Sequence, residues 1–262
     1  MNIIVCVKQV ADPNIPPSEI QLDPDGKRIV SPFGVPPVIN GYDANALEEA
    51  LRLRTQHGGR VTAIGLGDDS SREALKRTLA MGADAAVLLN DSAWLNADSA
   101  GVGRALAAAI RKVGSYDLIL CGRQASDTDG GQVLHWIAAS LGLPSVSPVA
   151  KIVDSDSQCV TVHRLTEDGY QRVRVQLPAL LGLSSEANEP RHPSMRGTMT
   201  AGRTLIPGWK ASDLGLAATA PKVELRQLKI QLRASKAELI GGSSGAAQGA
   251  ALADKLREMG LI

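Results

Sequence analysis

Aromatic residues are scarce in this chain of 262 residues: one Phe, three Tyr and three Trp. That is too few for a platform on which nucleic-acid bases stack. An excess of charge is also missing, with 28 Lys and Arg against 27 Asp and Glu and a formal net charge of +1. The balance argues against a polyanion held by bulk electrostatics. Cys6, Cys121 and Cys159 form no closely spaced pair, and their number is odd. They read as small buried hydrophobes in a reducing compartment, not as disulfides, a redox motif or a metal site. No apolar run approaches the roughly 20 residues of a membrane span. The first strand-like run begins at Ile3, so no secretory leader is expected, and the expected location is cytoplasmic, or the mitochondrial matrix in a eukaryote.

Two familiar phosphate-binding patterns are absent as well. No Gly-x-Gly-x-x-Gly follows the first strand, and no Gly-x-x-x-x-Gly-Lys-Ser/Thr occurs. His57, His135, His163 and His192 are scattered, without metal-ligand spacing and without a neighbouring nucleophile in a recognisable arrangement. The chain does not read as an enzyme with its own acid–base chemistry.

What is present is alternation. Apolar runs at residues 3–7, 61–66, 85–89 and 118–121 read as strands, and helical periods cover residues 43–56, 70–81, 99–113 and 131–141. Strand and helix in turn imply an α/β fold, a Rossmann-like parallel sheet with helices on both faces. Residues 14–39 interrupt the pattern with repeated Pro and a turn at Asp23 to Gly26, across which residues 20–22 and 28–30 pair as a small hairpin. Residues 148–182 switch to the alternation of β-strands. In the expected division, residues 1–182 form the nucleotide-binding α/β domain with its hairpin, and residues 183–240 an irregular recognition loop and extended segment. Residues 241–262 form a carboxyl-terminal arm. It opens on Gly-Gly-Ser-Ser-Gly and ends in one amphipathic helix, residues 246–259, which folds back on its own domain or reaches a partner.

In an open α/β sheet ligands bind beyond the carboxyl ends of the strands. The best candidate there is the stretch Gly122, Arg123, Gln124, Ala125, Ser126, Asp127, Thr128, Asp129, Gly130, Gly131, Gln132 and Val133, which follows a buried strand and opens a helix. Free N–H groups and the positive end of a helix suit a phosphate, although a plain connecting loop fits the spacing equally well. Asp127 and Asp129 suit capping or hydrogen bonding to hydroxyls better than anion binding. Asp43 reads as a helix cap, and Tyr42 as a nucleotide contact or a core ring. Glu48 and Glu49, with Arg52 and Arg54, read as a solvated helix face, and His57 as a partner of its own helix end.

The charged hairpin 162–182 is the most specific feature. Its Val162, Arg164, Glu167, Asp168, Gly169, Gln171, Val173, Pro178, Leu180, Leu181 and Gly182 closely resemble the signature of electron transfer flavoprotein β subunits. The likeness extends through Val7 to Val10, Leu47 to Leu53, Thr78 to Asp84, Gly122 to Ala125 and Asn188 to Arg191. It implies a heterodimer with an α subunit that carries electrons from flavin dehydrogenases to a quinone oxidoreductase or another acceptor. The redox FAD would sit mainly in α near the interface, with an adenine nucleotide in β and the arm of β around α. Carried over by position, the nucleotide pocket takes Cys6, Asn40, Gly41, Tyr42, Asp43, Leu66 and the loop from Gly122 to Val133. Partner recognition maps onto residues 188–199, with Arg191 and the apolar anchor Met195. Ordinary members read Asp-Asp-Asp-x-Asn-Gln-Thr-Gly in the loop and hold AMP. Residues 127–133 here are closer to the form of electron-bifurcating members, which hold a second FAD, although Leu134 stands where both forms have Gly. The nucleotide in β is thus FAD, which the loop favours, or AMP. A stand-alone adenine-nucleotide enzyme or sensor on a similar sheet is the alternative. An ATP-cleaving enzyme of that kind calls for a Ser-Gly-Gly-x-Asp-Ser loop where Lys8 to Asp12 stand.

Overall fold

The computed structural model describes residues 1–94, 96–217, 220–230 and 237–262. Its centre is the strand β1 (Ile3–Val7), every residue of which is buried, as a strand covered on both faces requires. The short β2 (Gln9–Val10) pairs with β5 (Val38–Ile39), and β3 (Gln21–Leu22) pairs with β4 (Ile29–Val30) as the small hairpin expected from the sequence. β6 (Val61–Leu66), β7 (Ala85–Leu89) and β8 (Leu118–Gly122) follow at the expected places. β9 (Ser145–Ser155), β10 (Cys159–Thr166) and β11 (Gly169–Gln176) form an antiparallel extension, while β12 (Ala179–Leu183) and β13 (Gly208–Trp209) return to the main sheet.

The nine-stranded sheet runs β11-β10-β9-β12-β8-β1-β6-β7-β13. All pairings from β9 through β12 to β13 are parallel, and only β9, β10 and β11 pair antiparallel. Helices α1 (Gly41–His57) and α2 (Arg72–Met81) cover one face through Leu47, Leu51 and Leu75. Helices α3 (Ser99–Val113) and α4 (Val133–Leu141) cover the other through Leu106, Ile110 and Ile137. This is the expected Rossmann-like α/β architecture. Among the described residues no helix is long and apolar enough to cross a membrane.

Several local readings change. The charged hairpin ends at Gln176, and the last residues of the 162–182 stretch form a separate strand: β12 lies in the middle of the sheet, wholly buried between β8 and β9. The segment after residue 183 contains α5 (Met195–Arg203) and β13, which extends the sheet beyond β7. Helix α5 has a cap signal, since the Ser194 hydroxyl accepts the Gly197 N–H at 2.9 Å, but its Gly and Thr content hides it from propensity. The chain divides into compact units at residues 1–228 and 229–262. In the second, α6 (Gly245–Glu258) starts at its Ser244 cap, buries no residue, and pairs Lys255 with Glu238.

Candidate functional site

The carboxyl ends of β1 and β8 meet the amino terminus of α1, and two side chains of that helix join them. Asp43 accepts the Lys8 N–H at 2.8 Å and the Gly122 N–H at 3.0 Å. It is therefore no cap of its own helix. Position N-cap belongs to Asn40, whose side chain is turned away from the helix to accept the Ser126 N–H and donate to the Gln124 carbonyl. Burial pushes the Asp43 carboxyl up to about 7, against the two N–H donors, which favour its anion. Gly41 is exposed at the same corner and Tyr42 half-buried, with the Arg123 guanidinium 5.3 Å above the Tyr42 ring.

The loop after β8 is tied on both sides. Lys8 donates to Asp127 at 2.6 Å, Gln124 donates to Asp129 at 2.8 Å, and the Thr128 and Asp129 N–H groups turn back to the Ala125 carbonyl. The two aspartates thus hold the loop itself, with the Thr128 hydroxyl also directed at Asp127. Asp129 sits in the left-handed region with φ 47°, a conformation Asp tolerates better than most residues. Gly130 has open space around it, and Gly131 also takes a positive φ. Helix α4 begins at Val133, two residues later than the sequence suggests, and Gln132 at its N-cap makes no side-chain cap. Leu134 points into the α3/α4 core, against Gly182, and so adds no bulk to the loop. Open backbone at Gly130, an uncapped helix start and a ring beside a guanidinium fit an adenine nucleotide with a phosphate chain.

Two further positions carried over by resemblance lie on the side of the sheet covered by α4, the helix that the loop opens. Cys6 and the partly buried Leu66 belong to the α3/α4 side of the sheet. Cys121 stands beside Cys6, and their contact, with burial, pushes its thiol well above the usual range. A thiol so held is chemically quiet, in keeping with a packing role. No group of three or more His, Cys, Asp or Glu suited to a metal occurs among the described residues.

Arg191 lies against the middle of α1 at Glu48, and Met195 opens α5, which is seated on α2. On α1 the sequence reading of a solvated face fails: Glu48 and Glu49 are buried at 4% and 9% exposure. Glu48 takes Arg52 and Arg191 on its carboxylate, while Glu49 and Asn45 hold Asn188. Arg54 turns to Asp84 and the Gly82 carbonyl, and His57 meets Ser155 instead of its helix end. Residues 45, 48, 49 and 52 share one helix face, so their spacing did carry the signal of a polar seam, missed because charge on a helix usually faces water. Met195 opens α5 at 85% exposure and Met199, one turn on, is 62% exposed. A groove of about 430 Å³ on the hairpin is lined by Asp154, Asp156, Arg172 and Arg174 among others. Its charges offset one another far from the carboxyl edge, which remains the better nucleotide site.

Comparison with known proteins bears on this geometry. Residues 29–214 match the electron transfer flavoprotein domain. The chain is 45% identical over 201 residues to the electron transfer flavoprotein subunit beta of Thermoanaerobacterium thermosaccharolyticum, covering 77% of this chain and 75% of that one. It is 42% identical to the caffeyl-CoA reductase-Etf complex subunit CarD of Acetobacterium woodii, over 84% of this chain and 82% of that one. Identity to the protein FixA of Azorhizobium caulinodans is 36%, across 97% and 93% of the two chains. With more than half its length matched by the family and relatives this close over most of their own length, the chain belongs to the electron transfer flavoprotein family as a β subunit, an electron carrier and not an enzyme.

Proposed function

We propose that this β subunit holds an adenine nucleotide at the carboxyl edge of its sheet and pairs with an α subunit. In that heterodimer it serves electron transfer from a flavin dehydrogenase to a quinone oxidoreductase or another acceptor. The observation that carries the nucleotide reading is the convergence of Asn40, Tyr42, Asp43, Lys8 and the loop 122–133 at one corner. Met195 and Met199, exposed at the start of α5, are the apolar contact offered to the dehydrogenase. Methionine suits a surface that must fit more than one partner. The similarity to a subunit of a caffeyl-CoA reductase-Etf complex supports a flavoenzyme acting on CoA thioesters as that partner.

Within this reading the nucleotide in β is a second FAD. Support comes from the open space at Gly130, the positive φ of Gly131, and Leu134 turned into the core. The flavin supplies the redox chemistry; this chain's residues supply binding, orientation and electrostatics. Denaturing extraction of the purified heterodimer tests it: two FAD and no AMP are expected per αβ pair. One FAD with one AMP decides for the ordinary form, and absence of any nucleotide beyond the α-subunit FAD removes the nucleotide site.

A further inference from the structure

The seam between α1 and residues 188–191 has a charge pattern that stability alone does not explain. Glu48 is almost wholly enclosed, its side chain 5% exposed. Its Oε2 accepts Arg191 Nε at 2.7 Å and the Arg191 backbone N–H at 3.2 Å, and its Oε1 accepts Arg191 Nη2 at 3.2 Å and Arg52 Nε at 2.7 Å. One turn earlier Asn45 donates to the Asn188 carbonyl at 2.6 Å, and Asn188 donates back to the Asn45 carbonyl and to Glu49, both at 3.1 Å. Burying a carboxylate costs about as much as its ion pairs return, so an apolar set replacing Glu48 together with its arginine partners would hold the fold as well. What it would not do is fix a direction. The two-pronged contact sets the plane of the guanidinium, and the third bond sets the backbone beside it.

That direction is transmitted over a short distance. Four residues after Arg191 comes Met195, preceded by Pro193 and by Ser194, which caps α5. On the other side α5 is seated on α2, where Gly197 lies against the Ala80 carbonyl and Arg72 bonds the Ile206 carbonyl. Between these two fixed points Met195 stands out into solvent. The Glu48 carboxyl is held below its usual range because the hydrogen bonds from Arg191 and Arg52 outweigh its burial, so it is anionic at neutral pH.

We infer that Glu48 is the positioning residue of the partner-docking segment, and that Arg191 is its internal anchor and not a partner contact. The inference rests on the reading of Met195 as the contact for a flavin dehydrogenase. In this role α1 serves two segments: Asn40 and Asp43 hold the loop of the nucleotide site, and Asn45, Glu48 and Glu49 hold the docking segment.

The experiment uses the purified αβ heterodimer with a bacterial short-chain acyl-CoA dehydrogenase as reductant. It compares Glu48→Gln, Asn188→Ala and Met195→Ala with the unaltered protein. Glu48→Gln is expected to raise the KM for the heterodimer about tenfold, the scale of one weakened charge-assisted hydrogen bond, with kcat and flavin content unchanged. Amide hydrogen exchange should quicken over residues 189–199 in the same variant while residues 122–133 keep their protection. Asn188→Ala loosens the seam from the loop side without touching α1; should Glu48→Gln not fold, it must show both effects. Unchanged exchange over 189–199, or faster exchange with unchanged KM while Met195→Ala raises it, overturns the positioning role alone. An unchanged KM in Met195→Ala overturns the docking reading, and the inference with it.

Discussion

The Gly122 N–H donates to Asp43 Oδ1 at 3.0 Å and thereby fastens the end of β8 to the first turn of α1. The carboxyl that accepts it is raised by burial from 3.8 to about 7. A raised carboxyl is more protonated in the folded than in the unfolded chain between these values. Its contribution is therefore fully present below pH 4 and is lost as pH rises through 7. Asp43→Asn abolishes this titration. Between pH 5 and pH 8 the unaltered protein should lose about 2–3 kcal/mol of stability relative to Asp43→Asn. Urea unfolding of both proteins at the two pH values checks it; parallel curves for the pair would refute the assignment. Asp43→Asn is nevertheless the less stable protein at pH 5, because an amide cannot accept both N–H groups.

The same junction predicts a steric penalty. A Cβ on Gly122 would lie 2.4 Å from Asp43 Oδ1 and 2.6 Å from Tyr42 Cβ. Neither is the end of a flexible chain: one is hydrogen-bonded and the other is attached directly to the helix backbone. Gly122→Ala should cost about 2–3 kcal/mol by overpacking and shift Tyr42 and Asp43 together. A fall in the urea midpoint together with release of bound nucleotide is the expected pair of results. A midpoint unchanged within error would mean that α1 yields freely here.

Removal of residues 241–262 tests the arm. Helix α6 buries none of its residues, and its Leu252 is 45% exposed. An amphipathic helix with an exposed leucine offers a partner an apolar contact. The truncated chain should associate with the α subunit more weakly, measured by titration calorimetry. Equal affinity of the long and short chains would show that the arm serves something else.

Much of this was legible beforehand. Strands 3–7, 61–66 and 85–89 stand where the apolar runs stand, because a buried parallel strand must be apolar on both sides. The loop after β8 was legible because ligand loops gather at the carboxyl ends of strands, whereas Asn40 joined it only through the family resemblance. What escaped reading is long-range polar pairing. Glu48 and Arg191 stand 143 residues apart, and nothing local distinguishes a glutamate facing water from one facing an arginine of another segment. Helix α5 escaped because two Gly and two Thr interrupt its nine residues and tertiary packing on α2 decides its state. Strand β12 looked like the end of a hairpin because its five apolar residues follow a proline, and only pairing with β8 and β9 makes them central.

Two glycines of α5 give the last prediction, with opposite signs for one chemical change. Helix propensity alone favours alanine over glycine by about 1 kcal/mol. At Gly202 a Cβ would meet nothing within 4 Å, so Gly202→Ala should realise most of that gain. At Gly197 the Cβ would stand 2.3 Å from the Ala80 carbonyl oxygen and 2.9 Å from the capping Ser194 hydroxyl. The carbonyl belongs to α2 and cannot step aside, so α5 must lift away from its seat. Gly197→Ala should lower stability by about 1–3 kcal/mol despite the better propensity. Since Met195 rides on the same turn, it should also weaken reduction by the dehydrogenase, while Gly202→Ala leaves that rate alone. Thermal melting of both variants checks the signs; a stabilised Gly197→Ala would mean that α5 does not rest on α2.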